Sequence, residues 1–213
     1  KFQTKGSFAY IKKDDELITK KLKKNKYSSK IYRVQASNLN KIFNKITNKY
    51  FISDGNKENL SFVLKIASKL KLNKKKLIKT INRFKGLDYR QQIIYDKKNL
   101  TIINDSKSTS FASSENVLKN LNYAYWIVGG IPKKGDKFLL SKNECRTFNA
   151  YIFGINKKHF IKQFKGIIKY QYFKNLKFLN KKILLDIKKE KNQKHRVILF
   201  SPAAASFDSF KNF

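Results

Sequence analysis

Leu100-Thr101-Ile102-Ile103-Asn104-Asp105-Ser106-Lys107-Ser108-Thr109 is a short apolar run that ends in a dense polar turn. The run has the length and β-branched content of a buried strand, and the turn packs a carboxylate, a cation and several hydroxyls into one corner. The pattern recurs downstream. A helical spacing near residues 114–121 leads to an apolar run at 124–128 that enters Gly129-Gly130, and residues 150–153 form another run before Gly154. Residues 158–168 and 176–189 have helical apolar spacing, and 196–200 is a last apolar run entering Ser201-Pro202. Strands alternating with helices predict an α/β fold with a mostly parallel sheet covered by helices, since parallel neighbours need crossover connections. Ligands of such sheets bind beyond the carboxyl ends of the strands. The three polar clusters, at 105–109, 129–136 and 201–207, fall there.

Upstream of Gly86 the pattern differs. Leu60, Val63, Leu64, Ala67 and Leu70 give the face of an amphipathic helix over 59–70, and Leu77, Ile78 and Ile81 that of a second, short helix. Residues 7–11, 16–18 and 30–34 read as short strands of a meander or of the edge of a larger sheet. Such brief strands bury little alone, so residues 1–82 read as an incomplete domain and 83–213 as the α/β domain.

With 213 residues and 41 % hydrophobic content, the chain can bury a sizeable core. No run approaches the roughly 18 uninterrupted apolar residues of a membrane span. The start, Lys1-Phe2-Gln3-Thr4, has neither Met nor a signal-like apolar region, which reads as a soluble, truncated chain. One cysteine, Cys145, excludes an intrachain disulfide and a zinc knuckle and fits a reducing, cytoplasmic setting. It reads as a small, partly buried thiol and not a nucleophile, because neither His159 nor His195 stands in a nucleophile motif.

A net charge of +35 points toward a polyanionic partner, nucleic acid or an acidic membrane. The composition argues against a built site. Lys and Arg number 49, of which five are arginine, at 33, 83, 90, 146 and 196. Readers of phosphate and base edges lean on the bidentate guanidinium. The lysines are also spread through nearly every block of ten, as a compositional background would be. A lysine-rich nucleic-acid or acidic-surface binding module without catalysis is the rival reading.

In the turn after residue 104, Asp105 is suited to orient a ribose or a metal-bound water, Lys107 to neutralise phosphate, and Thr109 to donate to a carboxylate. An ordinary strand-to-helix turn capped by Ser or Thr has the same composition. Residues 129–136 offer backbone N–H groups and the lysines Lys133 and Lys134 to an anion, or form a plain loop. They match neither a Walker A loop nor the Gly-x-Gly-x-x-Gly fingerprint. The small residues of 201–208 permit close backbone approach to a ligand, or tight packing.

Four segments in order resemble the UDP-N-acetylmuramoyl-L-alanine:D-glutamate ligases, the D-glutamate-adding Mur ligases. They are Phe84-Lys85-Gly86-Leu87-Asp88-Tyr89-Arg90, then residues 103–109, then Gly129-Gly130 with Lys133, then Ser201-Pro202-Ala203-Ala204-Ala205-Ser206-Phe207-Asp208 running on to Phe213. The family usually has Leu-Pro-His-Arg, Asn-Asp-Ser-Lys-Ala-Thr-Asn and Ser-Pro-Ala-Cys-Ala-Ser at the first, second and fourth of these. The Asp-Ser-Lys of the second segment separates the D-glutamate enzymes from relatives that add other amino acids. Ser53-Asp54-Gly55-Asn56-Lys57-Glu58-Asn59 resembles the family's Gly-x-His-Asn-x-x-Asn, matching at Asn56 and Asn59 and departing at Ser53 and Gly55.

The resemblance implies a Rossmann-like, mostly parallel sheet with helices on both faces over 83–213, the Mur ligase carboxyl-terminal domain. Residues 1–82 would then be the tail of the central ATPase domain. Asn56, Asn59, Arg90 and Asp105 would contact ATP. Lys107, Thr109, Lys133, Ser206, Phe207 and Phe213 would surround D-glutamate. The implied reaction is ATP-dependent ligation of D-glutamate to UDP-N-acetylmuramoyl-L-alanine through an acyl phosphate, in peptidoglycan precursor synthesis. No residue here would be catalytic in the strict sense, and the Mg2+ ligands, the Walker A loop and the UDP site would lie outside this chain, leaving it inactive alone. The implied partners are these small molecules, with no specific nucleic acid, in a cytoplasmic monomer.

Overall fold

The computed structural model describes residues 6–24, 27, 29–35, 40–190 and 194–205, in two compact units, Lys1–Phe84 and Lys85–Phe213. In the first unit, β1 (Phe8–Lys12) and β2 (Lys30–Val34) pair in parallel, with Tyr10 opposite Tyr32. The helix α1 (Glu16–Lys24) joins them, so the expected strand at 16–18 is helical and the expected meander is a parallel crossover. Asp15 decides this locally, since its Oδ1 accepts from Ile18 N at 2.9 Å and its carbonyl from Thr19 N. After α2 (Asn40–Phe43) and a 3-10 turn (Lys49–Phe51) come α3 (Asp54–Lys69) and α4 (Lys74–Arg83). Each of the two long helices is capped by a preceding side chain, Ser53 Oγ from Asn56 N and Asn73 Oδ1 from Lys76 N. Their apolar faces meet at Leu60, Leu64 and Ile81, with Ile42, Phe43, Ile46, Phe51 and Leu77 packed around.

Among the described residues the second unit holds one six-stranded sheet. Its strands are β3 (Gln92–Lys97), β4 (Leu100–Asn104), β5 (Ala124–Gly129), β6 (Phe148–Phe153), β7 (Lys169–Phe173) and β8 (Arg196–Phe200), ordered β3-β4-β8-β5-β6-β7. Only β3 runs antiparallel. β4 and β5 follow each other in the chain, yet β8 lies between them, reached last by the helix α7 (Leu176–Lys189).

The sheet sorts its residues by parity, as the two-residue period of a strand requires. Ala124, Trp126 and Val128 of β5, Phe148, Ala150 and Ile152 of β6, and Val197 and Leu199 of β8 join one core cluster. Phe111, Val117 and Leu118 of α5 (Phe111–Leu118) and Phe160 and Phe164 of α6 (Lys157–Phe164) complete it. The alternate residues Tyr125, Ile127, Tyr151, Phe153 and Ile198 join the other cluster, with Leu179 and Ile183 of α7. Helices thus cover both faces, which is why β5 is buried along its whole length. The tyrosines end in hydrogen bonds to α7 and its C-cap, Tyr151 Oη to Asp186 at 2.8 Å and Tyr125 Oη to Glu190 at 2.7 Å.

β3 and β7, the two edge strands, have no counterpart in the sequence reading. Four of the six residues of β3 and four of the five of β7 are exposed, so neither carries the apolar run that marks a covered strand. Helix α5 starts three residues earlier than 114, because Ser110 caps it through Ser113 N.

Candidate functional site

Asp105 sits at the carboxyl end of β4 and is 6 % exposed. Its backbone N–H continues the ladder to β8, donating to Phe200 O at 2.7 Å. Asn104 Oδ1 accepts from Ser106 N at 3.1 Å and turns the chain away from the strand. Asp105 Oδ2 accepts from Ser201 Oγ at 2.9 Å, and Oδ1 from Gln91 N at 3.1 Å. Burial pushes this carboxyl up to about 6, against the hydrogen bonds from Ser201, Gln91 and Ser108 and the charge of Arg90, which favour the ionised form.

The turn before β3 is anchored to the same point. Tyr89 (φ 64°) and Gln91 (φ 49°) flank Arg90 with left-handed backbone, and Lys107 N donates to Tyr89 O at 3.1 Å. Residues of this kind avoid that region unless their surroundings impose it. Here the imposing contacts are Gln91 N to Asp105 and Lys107 N to Tyr89, so the exposed Arg90 is presented beside the end of β4.

The loop after β5 approaches the loop after β8. Gly129 N donates to Pro202 O at 3.1 Å, and Ile131 and Ala205 exchange both backbone hydrogen bonds, at 2.7 and 3.0 Å. Gly130 has φ +126°, and a Cβ there would lie 2.4 Å from Ala205 O, so the glycine is required by the closeness of the two strand ends. Asp136 Oδ2 accepts from Phe111 N at 2.8 Å, tying the far end of this loop to the start of α5. Beyond it, Gln163 accepts from Phe138 N and Glu115 from Leu139 N, so carboxylate and amide side chains satisfy a segment that has no strand partner.

Lys107 and Thr109 therefore stand between the end of β4 and the start of α5, and Lys133 stands in the loop tied to that start. Lys107 and Lys133 are exposed and Thr109 is half-buried. All three lie on the carboxyl edge of the parallel strands, with Arg90 and Asp105. Ser206, Phe207 and Phe213 lie outside the described residues. In the first unit Asn56 and Asn59 share the opening of α3. Asn56 is buried with its Nδ2 donating to Tyr50 O at 2.7 Å, and Asn59 is exposed.

Among the described residues no three His, Cys, Asp or Glu side chains gather to hold a metal ion. Cys145 is buried, and burial pushes its thiol up to about 12, which removes it as a nucleophile. No helix among the described residues is long and apolar enough to cross a membrane.

The sequence reading gave no role to Ser108 and Ser114. Both are buried, at 4 % and 0 %, and both belong to the hydroxyl group behind Asp105. The available signal was weak, a serine on a helix whose other buried residues, Glu115 apart, are apolar.

No family profile matches the chain. The curated UDP-N-acetylmuramoylalanine--D-glutamate ligase of Francisella tularensis subsp. mediasiatica is 33 % identical over 187 residues, covering 86 % of this chain and 42 % of the relative. That of Francisella tularensis subsp. novicida is 33 % identical over 162 residues, covering 74 % and 38 %. The chain spans about two fifths of the length of these relatives and matches their carboxyl-terminal part. Among solved structures, UDP-N-acetylmuramate-alanine ligase MurC from Thermotoga maritima aligns with a TM-score of 0.51 at 16 % identity, over 72 % of this chain and 35 % of that one. MurF from Acinetobacter baumannii aligns with a TM-score of 0.51 at 14 % identity, over 74 % and 36 %. At these identities the structural likeness is one of fold.

Proposed function

The chain belongs to the Mur ligases, matching the carboxyl-terminal part of the D-glutamate-adding enzymes, and from that premise we propose that it supplies the D-glutamate-binding and ATP-closing part of a ligase acting on UDP-N-acetylmuramoyl-L-alanine. The observation that carries this reading is the joining of the Arg90 turn to Asp105 and Lys107 at one strand end through Ser201 Oγ, Gln91 N and Lys107 N, with Thr109 following in the same turn. Two segments far from the third in the chain, 84–90 and 103–109, meet Ser201 of that third at one edge of the sheet.

ATP, when bound, supplies the phosphoryl group that activates the L-alanyl carboxylate as an acyl phosphate for attack by the D-glutamate amine. Arg90 is exposed and suits a phosphate, and Asp105 suits a nucleotide hydroxyl because its carboxylate is an acceptor when ionised. Asn56 and Asn59 on α3 are the further nucleotide contacts of this reading. Lys107 and Lys133 offset the two carboxylates of D-glutamate, and Thr109 donates at the start of α5, where backbone N–H groups also favour an anion. Ser206, Phe207 and Phe213 complete the D-glutamate site in this proposal. The work of these groups is positioning and charge neutralisation, with Mg2+ held by ligands outside this chain. The setting proposed is cytoplasmic, with the enzyme a monomer.

The test is D-glutamate-dependent ADP release by the full-length enzyme carrying this sequence. Lys107→Ala and Thr109→Ala each lower kcat/KM by about 10²-fold or more, in the range found when a positioned charge or donor is removed. Unchanged ADP release in both variants would sink the assignment.

A further inference from the structure

Behind Asp105 lies a set of serines that the substrate reading leaves without a task. Ser108, Ser114 and Ser201 are 4 %, 0 % and 0 % exposed and come from the turn after β4, from α5 and from the end of β8. Ser114 Oγ lies 2.7 Å from Ser201 Oγ and 3.1 Å from Ser108 Oγ, and Ser201 Oγ lies 2.9 Å from Asp105 Oδ2. An ionised carboxylate can only accept, and each hydroxyl has one proton to give. Ser201 therefore donates to Asp105 and has no proton left for Ser114. Ser114 thus donates across the short 2.7 Å contact to Ser201 Oγ, in preference to Ser108 Oγ at 3.1 Å or Ser201 O at 3.4 Å. The Ser201 carbonyl is already engaged by Trp126 Nε1 at 2.7 Å. The directions of the donors are thus fixed by the charge at the end of the chain.

We propose that Ser114 and Ser201 are positioning residues, a one-way relay of buried donors that keeps Asp105 ionised and turned toward the carboxyl edge of the sheet. Three elements meet in it, and an alanine at position 201 would leave the buried Asp105 Oδ2 without this donor. Ser108 adds to the same end, since its hydroxyl also favours the ionised carboxyl. The charged group acting on Asp105 is Arg90, from the turn before β3; α5 and the end of β8 contribute serines to it and no charge. The relay itself stands on geometry. Its bearing on catalysis rests on the reading of Asp105 as the nucleotide-side carboxylate.

Carboxyl 13C NMR of the whole 213-residue chain, with the Asp105 signal identified by its loss in Asp105→Asn, follows the ionisation without any substrate. Ser201→Ala raises the Asp105 midpoint by roughly one pH unit, the size expected for losing a donor to a charged group. Ser114→Ala raises it less, and Ser113→Ala, a hydroxyl on the exposed side of α5, leaves it in place. Midpoints in Ser201→Ala and Ser114→Ala equal to that of the unaltered chain, with the Trp126 indole N–H signal still native, would overturn the relay. Should Ser201→Ala not fold, Ser201→Cys, which keeps the shape with a weaker donor, and Ser108→Ala carry the same expectation of a raised midpoint, and no rise in either overturns it. In the full-length enzyme the acid limb of D-glutamate-dependent ADP formation moves upward with Ser201→Ala. If the NMR midpoint moves and that limb does not, the relay stands and the assignment of Asp105 to the nucleotide falls.

Discussion

A carboxylate kept in a protein interior reports its cost through pH. The Asp105 carboxyl ionises near 3.8 in its ordinary state and near 6 in the fold, because burial outweighs the donors around it. The folded state therefore holds the proton more tightly than the unfolded one. Its contribution to stability is full below about pH 4 and is lost as pH rises through 6. Asp105→Asn removes that loss, so its stability relative to the unaltered chain improves by about 2 to 3 kcal/mol between pH 4 and pH 7. Urea unfolding at the two pH values measures this, and a difference that stays constant across them contradicts it. The same residue scale decides Gly130. Alanine there must adopt φ +126° and push its Cβ against Ala205 O, a loss of about 2 kcal/mol from strained backbone alone. Denaturant titration of Gly130→Ala checks it, and an unchanged midpoint means the two strand ends can part freely.

At the scale of elements, α7 carries the second face of the sheet. Leu179 and Ile183 are its fully buried residues, against Tyr125, Tyr151 and Phe153. The helix starts where Asn175 Oδ1 accepts from Phe178 N and ends at Glu190, whose Oε2 accepts from Arg196 Nε at 3.1 Å. Leu179→Ala leaves a cavity between helix and sheet and costs about 3 kcal/mol, whereas Asn175→Ala costs about 1 kcal/mol through the lost cap. Thermal or urea unfolding of the two variants gives the ranking, and an equal or inverted one refutes the packing account. The edge strands show the converse. Among the described residues β3 and β7 each pair with one strand and carry no buried residue, so hydrogen bonds to β4 and β6 hold them where apolar patterning is absent.

For the whole molecule the net charge of +35 sets a condition on stability. Like charges spread over a compact surface repel more than in the unfolded chain, and salt screens that repulsion within about 10 Å at 0.1 M. Raising KCl from low to about half molar concentration, well past that screening range, increases Tm, and a Tm that falls or stays level refutes this. The lysine surplus and the site also separate by experiment. On the proposed reading, Lys107→Ala in the full-length enzyme lowers D-glutamate-dependent ADP release, while retention of the chain on a heparin column changes as little as for any other exposed lysine, because retention reads total charge.

What the sequence by itself determined is the mostly parallel α/β architecture and the place of the polar clusters at the ends of its strands. Runs at 100–104, 124–128 and 196–200 could be read because covered strands need apolar residues on both faces, and the polar clusters after them marked the carboxyl edge. Local signals failed where a structural choice rests on a single capping contact, as at Asp15, or on pairing at an edge, as in β3 and β7. Only the tertiary structure decided that β8 inserts between β4 and β5, and hence that Ser201 meets Asp105 across 96 positions of chain. Nothing in the residues near either one encodes that meeting. It is fixed by strand order, which the burial of both sheet faces selects over the chain as a whole.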